Sequence, residues 1–82
     1  MKVGIEISMY PLTENYEPPI LQFIAELKQN SNLEIITNKL STQIFGEFDE
    51  ITSLVKETIF KTFQKQKSVF VMKWVGGPQD FL

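Results

Sequence analysis

The sequence predicts an α+β fold: one four-stranded antiparallel sheet with two helices packed on the same face. Three observations lead there. Two stretches, Ile20 to Leu27 and Ile51 to Phe63, carry apolar residues at helical spacing. Four shorter runs are rich in β-branched and aromatic residues and are bounded by turn formers. Their order is strand, helix, strand, strand, helix, strand, the split βαβ arrangement, for which right-handed crossovers place the first and third strands in the middle.

The first strand is built on Gly4 to Leu12. Its side chains alternate, so Val3, Ile5, Ile7 and Met9 share one face and Gly4, Glu6, Ser8 and Tyr10 the other. Pro11 ends the run because it has no N–H for a ladder. The first helix is predicted from about Pro18 to Gln29, since proline is tolerated in a first turn. Ile20, Phe23, Ile24 and Leu27 form its apolar stripe, and Asn30-Ser31-Asn32 stops it.

Leu33 to Asn38 and Thr42 to Phe48 read as the strands of a hairpin reversed over Lys39-Leu40-Ser41, without an Asn-Gly turn. Thr42, Ile44, Gly46 and Phe48 share one face of the second of these, and Gln43, Phe45 and Glu47 the other. Asp49 is the expected N-cap of the second helix, with Glu50 favourably placed against its dipole. The expected core stripe is Ile51, Leu54, Val55, Ile59 and Phe63, with the helix running to about Gln66. Ser68 opens the last strand, Val69 to Val75, and Gly76-Gly77-Pro78 closes it. Phe70, Met72 and Trp74 are assigned to the helix side and Lys73 to the open face; Phe23, Phe48, Phe63, Phe70 and Trp74 are expected in the core. The result is a ferredoxin-like βαββαβ sandwich, a single domain over residues 1–82. The tail from Gly76 to Leu82 reads equally as an extra edge strand, a subunit clasp or an unanchored end.

One sheet face is left bare in this arrangement. It shows Glu6, Ser8, Tyr10, Gln43, Phe45, Glu47, Val71 and Lys73, half apolar and half polar, as an association or ligand surface would be. A domain of 82 residues buries only about 60–65% of its unfolded surface, which makes association between copies worthwhile.

Composition removes whole classes of function. The net charge is −2 with both signs interspersed, so there is no electrostatic footprint for nucleic acid. The lysines from Lys61 to Lys67 suit a helix C-terminus. Cysteine and histidine are absent, which rules out disulfides, thiolate chemistry, the usual zinc ligands and an imidazole acid-base pair; no cofactor is expected. No run approaches the ~18 apolar residues of a membrane span, and the N-terminus enters an alternating strand without a signal-peptide core. A cytoplasmic location is the expectation.

Two constellations remain. Glu6 and Glu47 could act as paired carboxylates or hold a cation, or could pair with Lys73 in a structural role. Ser8 and Tyr10 end the first strand, while Thr37, Asn38, Ser41 and Thr42 cluster at the hairpin reversal. Such groups form turns by bonding their own backbone. They also make a neutral donor-acceptor set for a small heteroaromatic ligand, with Tyr10 or Phe45 as a stacking surface.

Ser8-Met9-Tyr10-Pro11-Leu12 resembles the Ser-Leu-Tyr-Pro-hydrophobic signature of the YkoF-like thiamine-binding family. Leu40-Ser41-Thr42 followed by Gly46 resembles its second hallmark, an apolar-Ser-Thr-x-x-x-Gly segment, and the spacing of the two agrees. The resemblance implies a non-enzymatic binder of thiamine or its hydroxymethylpyrimidine half, with ferredoxin-like units associating through their sheets into dimers or tetramers. It makes Ser8, Tyr10, Ser41 and Thr42 the expected pocket residues, with Thr37 and Asn38 just ahead of the second motif and the carboxylates of Glu6 and Glu47 available to a thiazolium cation. YkoF itself carries two repeats and this sequence one, so a site shared between repeats calls for a homo-oligomer. Lys39 adds a fixed positive charge beside the second motif.

Overall fold

The computed structural model describes residues 1–78 and shows the predicted order: β1 (Lys2–Pro11), α1 (Glu17–Gln29), β2 (Glu34–Thr37), β3 (Thr42–Glu47), α2 (Phe48–Lys65) and β4 (Ser68–Gly76). The sheet has four strands in the order β2-β3-β1-β4, every neighbouring pair antiparallel. This is the ferredoxin-like α+β fold, with β1 and β3 central as the crossover rule requires. Of the tail, Gly76 ends β4, and residues 79–82 lie outside the described residues.

The odd-numbered side chains of β1 face the helices, and Val3, Ile5, Ile7 and Met9 are all buried. Ile44 continues this layer on β3, opposite Ile5 in the register, and Phe23 and Leu27 of α1 meet Ile51, Leu54 and Val55 of α2 above it. Leu27, Ile44 and Ile51 are 0% exposed and mark the centre of the core. Gly46 lets the elements close up: a Cβ there would run into Leu33 Cδ2 and approach Ile51 Cδ1 at 4.0 Å.

Helix α2 departs from the predicted stripe. A period of 3.6 residues counted from Ile51 and Val55 passes through Thr58 and Thr62, not through Phe63, and both threonines are buried at 3% exposure. Their hydroxyls donate to the carbonyls one turn back, Thr58 to Leu54 at 2.7 Å and Thr62 to Thr58 at 2.9 Å. Burial therefore leaves neither hydroxyl unpaired. Phe63 is displaced to the surface at 54% exposure, and Phe48 and Trp74, also expected in the core, are 46% and 42% exposed. They cover the rim instead: Phe48 packs on Trp74 with ring centroids 5.8 Å apart, and Phe63 on Phe70 at 5.6 Å. Phe70 and Met72 pack against the core from β4, on the predicted side. The helix also begins earlier than expected, with Glu47 rather than Asp49 in the capping position and no side-chain cap bond.

The two helices are tied across their outer surfaces. Lys65 Nζ donates to Glu26 Oε1 at 2.9 Å, and Gln22 Nε2 donates to the same oxygen at 3.1 Å. Glu26 keeps only 15% of its side chain exposed, so the pair is partly shielded from water. The hydrogen bond from Lys65, followed by that from Gln22, holds the Glu26 carboxyl below its ordinary value of 4.5, against the opposing effect of burial. A carboxyl depressed in the folded state adds stability that is present above the unfolded pKa and lost as pH falls through the folded one. Denaturant titrations from pH 6 downward are therefore expected to show stability declining below about 4.5, with a shallower decline in Glu26→Gln. Parallel curves for the two proteins would mean that the tie contributes nothing.

Candidate functional site

The sheet leaves a notch at one end. β1 pairs with β4 as far as Pro11, but with β3 only as far as Ile7, opposite Thr42. Ser8, Met9, Tyr10 and Pro11 therefore have a strand on one side and none on the other. Leu12 N–H donates to Lys67 O at 2.9 Å across the β4 side. Alternation along an antiparallel ladder then turns the main-chain groups of Met9 to the opposite side, toward the notch.

The hairpin between β2 and β3 forms one wall of this notch. Among the described residues no non-glycine residue has a positive φ, so the turn is not the mirror-image type usual for the shortest hairpins. Asn38 closes it instead. Its N–H donates to Ser41 O at 3.1 Å, while its side-chain Oδ1 accepts from the N–H groups of Leu40 at 2.8 Å and Ser41 at 3.2 Å. Thr37 and Thr42 face each other in the register and share a hydroxyl hydrogen bond of 3.2 Å. Ser41 Oγ donates to Glu6 Oε2 at 3.0 Å, which links the hairpin to the open face of β1, and Ser8 Oγ donates to Leu40 O at 3.5 Å.

Helix α1 supplies the floor through Ile20, Phe23 and Ile24, and the segment before it supplies Thr13 and Tyr16. The half-open cleft has a volume of about 400 Å³, within the range of small-molecule sites. It has an apolar floor, a rim of hydroxyls, one amide and one charged residue, Lys39, and two tyrosine rings, Tyr10 and Tyr16, each more than half exposed. A flat heteroaromatic ring fits such a lining: the rings offer stacking faces, and the hydroxyls and amide offer donors and acceptors without charge.

Residues 2–76 of this sequence match the YKOF-related Family. The chain belongs to that family. Solved structures agree on the fold. A Streptococcus pneumoniae protein, 26% identical, superposes with a TM-score of 0.85 over 94% of this chain and 88% of its own. A Methanocaldococcus jannascii protein, 24% identical, does so at 0.82 over 96% and 84%. A Thermotoga maritima protein proposed to act in thiamine biosynthesis or salvage, 22% identical, does so at 0.84 over 94% and 85%. No curated protein matches the sequence.

In this YkoF-related chain the two motifs meet at one place. Ser8, Tyr10, Thr37, Asn38, Ser41 and Thr42, separated in sequence by α1 and β2, all line the cleft. Glu6 is not in the lining and reaches it only through Ser41. Glu47 is elsewhere: it faces Lys2 while Glu6 faces Gln43, four register steps away or roughly 13 Å at strand rise. Its Oε2 accepts from the Met1 amino group at 3.0 Å. The two carboxylates are thus not brought together. Glu6 instead faces Lys73 across β1 and β4, on the open face, where a shallower depression of about 260 Å³ also takes in Phe45 and Val75.

Sequence reasoning missed Thr13, Tyr16 and the α1 floor. Tyr16 had a usable signal, since it stands two residues before Pro18, at the helix start and in the short connection from β1. The floor had none, because Ile20, Phe23 and Ile24 serve the core stripe as well as the cleft.

Among the described residues no group of histidine, cysteine, aspartate and glutamate could hold a metal ion, and no helix is long and apolar enough to cross a membrane.

Proposed function

We propose that the protein is a non-enzymatic binder of thiamine or of its hydroxymethylpyrimidine half, acting as a carrier or buffer in thiamine uptake or salvage. The observation that carries this reading is the convergence of both motifs on one cleft, with neutral hydroxyls around an apolar floor. An aminopyrimidine has ring nitrogens that accept and an amino group that donates, and hydroxyls and amides answer both without ionic help. Membership of the YkoF-related family and the salvage role proposed for the Thermotoga maritima protein support the same ligand class. Binding without catalysis is favoured because the lining holds no carboxylate and no base paired with a nucleophile.

Association of copies through the bare sheet face belongs to the same proposal. Tyr10 and the valines Val71 and Val75 are each more than half exposed there, and Glu6 and Lys73 supply opposite charges beside them. A second reading confines function to this association. It is favoured by the bonds that Thr37, Asn38, Ser41 and Thr42 already make within the hairpin and to Glu6.

A thermal-shift series against thiamine, hydroxymethylpyrimidine and unrelated heterocycles separates the two. At a hundredfold excess over Kd a ligand of the folded state adds about 2.7 kcal/mol, which for a domain of this size raises Tm by roughly 10–20 °C. A rise confined to the pyrimidine compounds is expected. A flat response across the series would leave association as the function.

A further inference from the structure

We infer that the cleft takes its ligand as an anionic phosphate monoester of a small pyrimidine alcohol, and that Lys39 selects that charge. The inference rests on the pyrimidine reading of the cleft and adds the charge of the ligand to it.

Lys39 is the only charged side chain among the described residues that line the cleft. It stands at the tip of the hairpin, between Asn38, which closes the turn, and the two N–H groups that Asn38 Oδ1 receives, those of Leu40 and Ser41. The backbone on both sides of Lys39 is therefore held, with Lys39 in the lining of the cleft. Among the described residues the salt bridges are those of Glu47 and Glu26, so the Lys39 ammonium has no carboxylate partner. The carboxylate closest in connection, Glu6, already accepts from Ser41 Oγ.

An uncompensated ammonium on the rim acts in opposite directions on two ligands that share the same ring. A lysine is a compact point charge that binds phosphate oxygens through charge-assisted hydrogen bonds. The same charge repels a thiazolium cation brought within a few ångström. The other source of phosphate affinity common in small domains is weak here. Tyr16, the N-cap of helix α1, lines the cleft, but Pro18 and Pro19 remove two of the first-turn N–H groups that could otherwise meet an anion. Anion recognition thus falls to Lys39, while the pyrimidine keeps the hydroxyl rim and the tyrosine rings.

The test is calorimetry at low salt on the full chain and on Lys39→Gln and Lys39→Glu. The ligands are hydroxymethylpyrimidine, its phosphate ester, thiamine and inorganic phosphate. The wild-type protein is expected to bind the ester about five- to tenfold more tightly than the parent alcohol, an advantage that shrinks with added salt. Lys39→Gln should bring ester and alcohol to equal affinity, and Lys39→Glu should place thiamine ahead of the ester. An ester no tighter than the alcohol, or a preference that survives Lys39→Gln, overturns the inference and leaves the pyrimidine reading standing. Inorganic phosphate bound as tightly as the ester also overturns it, since the anion would then be recognised without the ring. If the alcohol, the ester and thiamine all fail to bind, the pyrimidine reading falls and the inference with it.

Discussion

Leu27→Ala is expected to lower stability by about 3 kcal/mol, within the range for a large-to-small change at a fully buried site. Leu27 is 0% exposed and lies where α1 meets α2 and β1, so no water or flexible loop can fill the space it leaves. In a domain of this length the loss corresponds to a fall in Tm of roughly 15–20 °C. It would remove a large part of the total, because natural domains hold only about 0.05–0.15 kcal/mol per residue. Phe63→Ala is the matched control. Its ring is larger, but it is 54% exposed and packs edge-on to Phe70, so about 1 kcal/mol or less is expected. Denaturant melts of the two variants decide the point, and equal losses would put Phe63 in the core after all.

Asn38→Ala is expected to weaken binding of neutral hydroxymethylpyrimidine by about tenfold or more. The substitution removes the acceptor that holds the N–H groups of Leu40 and Ser41, each such bond being worth about 1 kcal/mol of local order. The wall of the cleft then occupies its binding geometry only part of the time, and apparent affinity falls by that fraction. Asn38→Asp keeps an acceptor at the same position and should restore most of the affinity for this uncharged ligand. Calorimetry on both variants, with the melting temperature recorded alongside, gives the answer. A lower melting temperature in Asn38→Ala with unchanged affinity would mean that the turn serves the hairpin alone.

The parts of the fold that were legible in the sequence are those in which one residue pattern has one physical solution. Alternation in Val3, Ile5, Ile7 and Met9 can only be a strand with one buried face, and the structure buries all four. Proline pairs and asparagine clusters likewise placed both ends of α1 to within a residue. Reading failed where chemical type and geometry disagree. In α2 the periodic positions 58 and 62 hold threonine, whose hydroxyls are satisfied within the helix, while the larger apolar Phe63 lies one step off the buried face. At the β3–α2 junction a good capping residue, Asp49, lost its place because the helix starts directly from Glu47. For the cleft, the polar residues were visible as a set because they cluster at the end of the first strand and at the hairpin reversal, and two motifs carry Ser8, Tyr10, Ser41 and Thr42. Glu47 was grouped with Glu6 by face alone, and the face of a strand says nothing of distance along it. The α1 floor could not be separated from core, since both demand the same apolar side chains at the same spacing.

The mismatch in length between the two central strands has a consequence for how this cleft can change. Its width is set by a count of residues in the hairpin rather than by the size of any side chain, because the space exists where β3 has stopped and β1 has not. Extending the hairpin by two residues in each arm would bring new ladder partners opposite Ser8 and Met9 and close the cleft; shortening it would open the cleft further. Neither change would touch Leu27, Ile44 or Ile51. The width of the cleft can therefore be retuned by insertion and deletion in an exposed turn, while the core that keeps the domain folded stays the same.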